Sequence, residues 1–232
     1  MRVAALYDIH GNLPALEAVL ADVGREDVDA IVFGGDIASG PFPVETLALV
    51  RSLDAYSILG NGDRPFRGRP EAAWVWDQHS EEEIGWLGAL PEQLVLGDTL
   101  FVHATPRSIE EVVTPVTPDE RLAEILDGVE QSAVVGGHTH MQQDRRVGRW
   151  RFVNAGSVGM PYEERPGAYW AIVDDDVELR RTDYDLAAAA EAIRASGWPI
   201  AEEFADENVL QVPSREEAAT LFERLATETA EP

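Results

Sequence analysis

Residues 2–12 read Arg2-Val3-Ala4-Ala5-Leu6-Tyr7-Asp8-Ile9-His10-Gly11-Asn12. The apolar run 3–7 is short and unbroken, as expected of a strand covered on both faces, and a carboxylate and an imidazole follow it directly. Asn12 then offers a side-chain cap to a helix with Pro14 in its first turn. Leu13, Leu16, Val19, Leu20 and Val23 recur on one face of that helix before Gly24 stops it. The same grammar repeats downstream. Ala30-Ile31-Val32-Phe33 is a second buried strand closed by Gly34-Gly35, residues 44–53 are helical by periodicity, and residues 55–59 form a third strand ending at Gly60. A β-α-β-α-β order predicts a parallel sheet with right-handed crossovers.

Further along, the chain changes character. Residues 65–92, rich in Trp, Glu and Arg and carrying Trp74, Trp76 and Trp86, read as an inserted cap with a helix over 80–90. Strands are expected at 94–96 and 99–103 around the Gly97-Asp98 turn, a helix at 119–126, and a strand at 132–135 ending in Gly136-Gly137. Four alternating runs follow, at 142–146, 150–153, 168–173 and 177–182, and suggest an antiparallel second sheet. The last segment, 185–232, holds eleven acids and three arginines, net −8, and reads as a solvated helical extension of a single 1–232 domain.

The chain has 232 residues, 18 basic and 43 acidic, for a net charge of −25. All the basic residues are Arg, so Schiff-base chemistry and a Walker-type phosphate lysine are excluded. Cysteine is absent, which excludes disulfides, thiolate catalysis and Cys-ligated metal. There is no run of the roughly 18 apolar residues that a membrane span needs, and residues 3–7 are too short for a signal-peptide core. The expectation is a soluble, cytoplasmic protein with no membrane association. The negative charge disfavours nonspecific nucleic-acid binding, and an anionic substrate would need a local reversal of sign, which metal ions supply.

The chemistry-bearing residues collect just past apolar strands: Asp8 and His10, Asp36, Asn61, His103, then His138 and His140. Loops at the carboxyl ends of strands converge on one crevice. A lone histidine there is commonly a hydrogen-bonded structural residue, but four of the chain's five histidines share this position. Carboxylate, amide oxygen and imidazole are donors that borderline divalent metals accept. Glycines flank the candidates in Gly34-Gly35-Asp36, Gly60-Asn61-Gly62-Asp63 and Gly136-Gly137-His138-Thr139-His140, where sharp backbone turns would aim side chains inward.

Asp8-Ile9-His10-Gly11-Asn12, Gly35-Asp36, Gly60-Asn61, His103 and Gly137-His138-Thr139-His140, in this order, resemble the calcineurin-like metallophosphoesterase family, in particular its small bacterial and archaeal phosphodiesterases. The resemblance implies a four-layer α-β-β-α sandwich of two mixed sheets flanked by helices. It implies that Asp8, His10, Asp36 and His140 hold one metal and that Asp36, Asn61, His103 and His138 hold a second, with Asp36 bridging. Mn2+ or Fe suits these N/O donors, with Zn2+, Ni2+ or Mg2+ as alternatives. The implied activity is hydrolysis of phosphodiester or phosphoanhydride bonds in a small, nucleotide-type substrate, with a water bridging the two ions as nucleophile. Asp36, Asn61, Asp63 and Arg64 are then the residues expected nearest the reaction, with Asn61 and Arg64 reaching the substrate.

One departure is informative. Many family members carry a histidine after Gly-Asn that serves as general acid; here the run is Asn61-Gly62-Asp63-Arg64. Without a proton donor, poor alkoxide leaving groups react slowly, whereas diesters with acidic leaving groups and anhydrides depend less on one. His79 either substitutes from a closed cap or is an exposed loop residue. Arg64 either pairs with Asp63 or binds phosphate, and Arg107 has the same two readings. Asn154-Ala155-Gly156-Ser157-Val158-Gly159 is expected to pack and hydrogen-bond beside the ligand loops. The three tryptophans fill the cap core or stack a base. A phosphomonoesterase on the same site and a non-catalytic interaction module on this fold are the alternatives.

Overall fold

The computed structural model describes residues 1–228, with side chains through 226, so the last four residues of the 185–232 extension lie outside the described residues. Two five-stranded sheets form the centre. The first has the order β10-β9-β1-β2-β3, where β1 is Val3–Leu6, β2 Ala30–Phe33, β3 Tyr56–Ser57, β9 Ala168–Val173 and β10 Val177–Thr182. The second has the order β4-β5-β6-β8-β7, where β4 is Gln93–Leu96, β5 Thr99–Val102, β6 Ala133–Gly136, β7 Gln143–Val147 and β8 Trp150–Asn154. β1, β2 and β3 run parallel in one sheet, and β5, β6 and β8 in the other.

Strand alternation explains why both sheets are buried on both sides. In β1, Val3 and Ala5, followed by Tyr7, face the second sheet among Val32, Ile58, Phe101, Val135 and Val153. Ala4 and Leu6 face the opposite way, onto helix α1 (Leu13–Val23) and α2 (Pro43–Ser52) through Leu16, Val19 and Leu47. Beyond the second sheet, Leu122, Ile125 and Leu126 of α5 (Asp119–Leu126) pack on Leu100, Val102, Val134 and Phe152. The Tyr7 hydroxyl donates to the Val135 carbonyl at 2.9 Å and ties the two sheets together beneath the site.

Three expectations are corrected. The four late runs do not build a separate antiparallel sheet: β7 and β8 complete the second sheet, while β9 and β10 return to the first, with β9 antiparallel to β1. Alternation reports a strand but not its partner. The third strand is shorter than 55–59, because the Ile58 amide still bonds Phe33 while the Leu59 amide turns away to Pro91. The extension is not merely solvated. Helix α6 (Leu186–Ala195), α7 (Ala201–Phe204) and the π-helical turn Ala205–Leu210 bury Ala189, Ala190, Ile193, Phe204 and Val209 together with Val75. Small alanines allow this close approach despite the segment's charge.

The cap, α3 (Pro70–Gln78) and α4 (Glu81–Gly88), is likewise anchored: Trp76 and Leu87 join the core beside α1 and α2, whereas Trp74 packs with the extension. His79 is not an exposed loop residue; its side chain is fully buried against Trp76 with neither ring nitrogen hydrogen-bonded. The final helix, α8 (Arg215–Glu228), lies over the ligand loops, with Arg215 on the buried Glu163 carboxylate at 2.7 Å and on the Gln142 carbonyl. Arg215→Ala is expected to cost about 2 kcal/mol, the worth of charge-assisted hydrogen bonds to one group. The thermal midpoint should fall by roughly 5 °C, and hydrogen exchange over 215–226 should accelerate. Among the described residues, no helix is long and apolar enough to cross a membrane.

Candidate metal centre

The candidate ligands follow the carboxyl ends of β1, β2, β3, β5 and β6, five parallel strands drawn from both sheets. Neighbouring loops are laced together: the Asp8 amide donates to Gly35, the His10 amide to Asp36 and the Gly11 amide to Ile37. Asp8, His10, Asp36, His138 and His140 have φ of 52°, 48°, 51°, 68° and 59°, and no other non-glycine among the described residues has positive φ. That left-handed conformation costs an L-residue about 1–2 kcal/mol, so the surrounding fold imposes it where these side chains must converge. The glycines make room for them. A Cβ on Gly137 would stand 2.4 Å from Asp8 Oδ2, and one on Gly60 2.2 Å from Asp36 Oδ1.

The donor chemistry decides what the cluster can hold. His140 Nδ1 donates to the Met160 carbonyl at 2.7 Å and His103 Nδ1 to the Gly34 carbonyl at 2.9 Å. A carbonyl only accepts, so each ring carries a hydrogen on Nδ1 and presents Nε2, its other potential ligand atom, inward; burial opposes a charge on His103, but Asp36 and Asp8 raise its pKa above the ordinary value. His140 Nε2 lies 3.1 Å from His10 Nε2, and His103 Nε2 lies 2.9 Å from Asn61 Oδ1. Asp8 Oδ1 is buried without a hydrogen-bond partner, 3.5 Å from His140 Nε2 and 3.9 Å from His103 Nε2. Imidazole nitrogens and an amide oxygen gathered around an orphaned carboxylate oxygen are a donor set that fits cations.

Two tight groups emerge, Asp8-His10-His140 and Asp8-Asp36-His103, each with ligand atoms within 4.8 Å of one another. Asp8 is common to both. Asp36 lies between them, with Oδ2 3.6 Å from His10 and Oδ1 3.6 Å from His103, and Oδ1 also accepts from the Gly62 amide at 2.6 Å. His138 belongs to neither tight group; its ring meets that of His103 edge-on at 5.2 Å, and its amide donates to Asp8 Oδ2. Burial, then His103, pushes its pKa down to about 4, so the imidazole is neutral and able to ligate at neutral pH. Burial and His140 also lower His10. Burial opposes ionisation of Asp8, but His140, His103 and His10 together hold its carboxyl below the ordinary range.

Asp63 is fully buried, and its carboxylate accepts from the amides of Asp36, Ile37 and Gly60 at 2.8, 2.8 and 3.0 Å. Burial and the neighbouring Asp36 push its pKa up to about 7, while the Ile37 and Gly60 amides pull it down. It therefore clamps two candidate ligand loops and, unlike Asp36 and Asn61, does not line the adjoining cavity. Arg64 pairs with Glu92 at 2.8 Å, not with Asp63, and lines a cavity beside the ligands. Arg107 is held by Glu111. Asn154 donates to the Gly137 carbonyl and to Thr139, and Ser157 to the Asp8 carbonyl, so this block braces the ligand loops. Two residues come from outside the sequence reading. Tyr162 stacks on His140 at 4.9 Å, and Phe222 of α8 approaches His138 at 6.4 Å. No local motif marks either.

A sequence model of the calcineurin-like phosphoesterase superfamily domain matches residues 1–176, most of the chain. The chain belongs to this superfamily. It is 28% identical to the uncharacterized protein MJ0912 of Methanocaldococcus jannaschii over 85% of this chain and 93% of that protein. A metallophosphoesterase from Sphaerobacter thermophilus is 29% identical and superposes with a TM-score of 0.73 over 88% of this chain and 97% of its own. The protein PH1004 of Pyrococcus horikoshii shares the fold at a TM-score of 0.77 with 21% identity, over 91% of this chain and 99% of its own. Superfamily membership and the Asp/His groups make this a metallophosphoesterase-type hydrolase fold with residues able to bind metal.

Proposed function

We propose that the chain is a dimetal-dependent phosphodiesterase acting on a small phosphorylated substrate. The observation that carries this reading is the close approach of ligand-type atoms, His10 with His140 and His103 with Asn61, around the orphaned Asp8 oxygen. Asp8, His10, Asp36 and His140 would hold one ion and Asp36, Asn61, His103 and His138 the other, with Mn2+ or Fe suited to these donors. When bound, two such ions supply the positive charge that phosphoryl oxygens require and lower the pKa of water toward ~7. Asp63 and Ser157 hold the ligand loops in register, and His103 and His140 keep a fixed tautomer through their backbone carbonyl partners.

Gly62 stands directly after Gly60-Asn61, where many family members carry an acid histidine, and the next residue, Asp63, is fully buried with its carboxylate bound to backbone amides, outside the cavity lining. His79 is buried in the cap and does not line the cavity. Leaving groups that depart without protonation are therefore favoured, which supports diesters over alkyl monoesters. The test pairs metal analysis with hydrolysis of bis-p-nitrophenyl phosphate. Two ions per chain and Mn2+-stimulated cleavage faster than that of p-nitrophenyl phosphate are expected. Faster monoester cleavage would move the assignment to a phosphomonoesterase, and a chain that takes up no metal under any condition would end the reading.

A further inference from the structure

A cavity of about 610 Å3 opens beside the metal centre, floored by His10, Asp36 and Asn61. Its walls come from two places that the ligand motifs do not include. The segment leading into α3 contributes Arg64, Phe66 and Arg69, and the C-terminal extension contributes Trp198 and Ile200. The extension lies beyond residues 1–176, so this wall is added to the superfamily domain. A second hollow of about 430 Å3 is lined by His138, Arg121 and Phe222, and Glu110 lines both. Candidate ligands thus line both hollows, His10, Asp36 and Asn61 the first and His138 the second.

The groups in the larger chamber are specific in kind. Phe66 is 55% exposed, an aromatic ring left uncovered, whereas Trp198 is held in place by donating its indole N–H to the Glu71 carbonyl. The Arg69 guanidinium has no hydrogen bond or ion pair among the described residues, in a chain where most arginines are paired with carboxylates. Arg64 is paired only with half-exposed Glu92, a surface contact that a substrate anion can replace. Rings and guanidinium planes stack on flat π-systems. An acyl chain would leave both cations unused, and a polyphosphate would meet Glu71 and Glu110 in the same walls. The volume is that of an ordinary small-ligand site.

We propose that this chamber binds one arm of the substrate, an arm carrying a heteroaromatic ring of nucleobase size, and that Phe66 and Arg69 select it. The inference rests on the phosphodiesterase reading for what happens at the phosphate, but its test does not need turnover. Calorimetric titration of the full Mn2+-supplemented chain with adenosine monophosphate and with ribose 5-phosphate compares ligands that differ only in the base. Adenosine monophosphate is expected to bind about tenfold more tightly, as one stacked base allows. In Phe66→Ala and in Arg69→Ala that preference should fall below about threefold. Both side chains are exposed, so unchanged thermal midpoints will confirm intact folds. Equal affinities in the wild-type chain, no measurable binding of either ligand, or a preference that survives both substitutions would overturn the chamber. A chain that prefers the nucleotide yet never cleaves bis-p-nitrophenyl phosphate keeps the chamber and loses the phosphodiesterase reading. A chain that cleaves the diester but binds both ligands alike does the reverse.

Discussion

Asp36→Ala is expected to lower turnover of bis-p-nitrophenyl phosphate about a thousandfold and to remove bound metal at the same time. Asp36 is the carboxylate placed between the two imidazole sets, 3.6 Å from His10 and 3.6 Å from His103. Its backbone is left-handed, and its Oδ1 is fixed by the Gly62 amide. Asp8 also reaches both imidazole sets, 3.5 Å from His140 and 3.9 Å from His103, but as a ligand in its own right and not as a replacement for Asp36. Losing a single electrostatic donor at a reacting centre commonly costs 10²–10³ in rate, and a ligand shared by two ions should cost at least that. A second readout separates metal loss from misfolding. A ligand that binds only the folded state stabilises it by RT ln(1 + [L]/Kd), about 2.7 kcal/mol at a hundredfold excess over Kd. Mn2+ should therefore raise the thermal midpoint of the wild-type chain and leave that of Asp36→Ala unmoved. Removing a buried carboxylate also relieves repulsion from Asp63, so the metal-free variant should be no less stable than the metal-free parent. Full turnover by Asp36→Ala would sink the dimetal reading.

The fold is legible in the sequence to the extent that local pattern determines it. The run 3–7 has only the Tyr7 hydroxyl as a polar side-chain group and is buried on both faces, because one face meets the second sheet and the other meets α1. Helix α5 occupies the predicted span 119–126, where Leu122, Ile125 and Leu126 lie on one face. Partnering is not local. Nothing within residues 168–182 says that β9 pairs with β1 rather than with β8, since that choice depends on which edge the earlier strands leave open. The site is legible for a related reason. Ligand candidates sit where apolar runs stop, and parallel strands gather those stops into one crevice. What surrounds the ligands is less visible. Phe222 arrives from α8, more than eighty residues after His138, on a helix whose composition reads as solvated. The buried His79 is equally silent, because its environment is set by Trp76 and the packing of the cap.

Asp63→Ala is expected to destabilise the chain by about 3–4 kcal/mol and to weaken metal binding without any direct contact with substrate. The Asp63 carboxylate is the acceptor for three buried amides, those of Asp36, Ile37 and Gly60. Removing it leaves three donors in a site closed to water, each costing roughly 1–3 kcal/mol if nothing replaces the bond, with partial relaxation bringing the sum down. The thermal midpoint should drop by roughly 10 °C. Asp63→Asn should lose about half as much, because its remaining carbonyl oxygen still accepts while the new amide nitrogen faces a donor. The decisive comparison is with a catalytic carboxylate in the same loop, as its sequence position beside Asn61 suggests. A group that moves protons at the substrate would lose turnover while leaving stability and Mn2+ affinity near wild type. A clamp loses stability first, then metal affinity as the Asp36 and Asn61 loops drift, and turnover in proportion to the metal that remains. Activity restored by raising Mn2+ would therefore mark Asp63 as a positioning residue, whereas inactivity at full metal occupancy would place it in the chemistry.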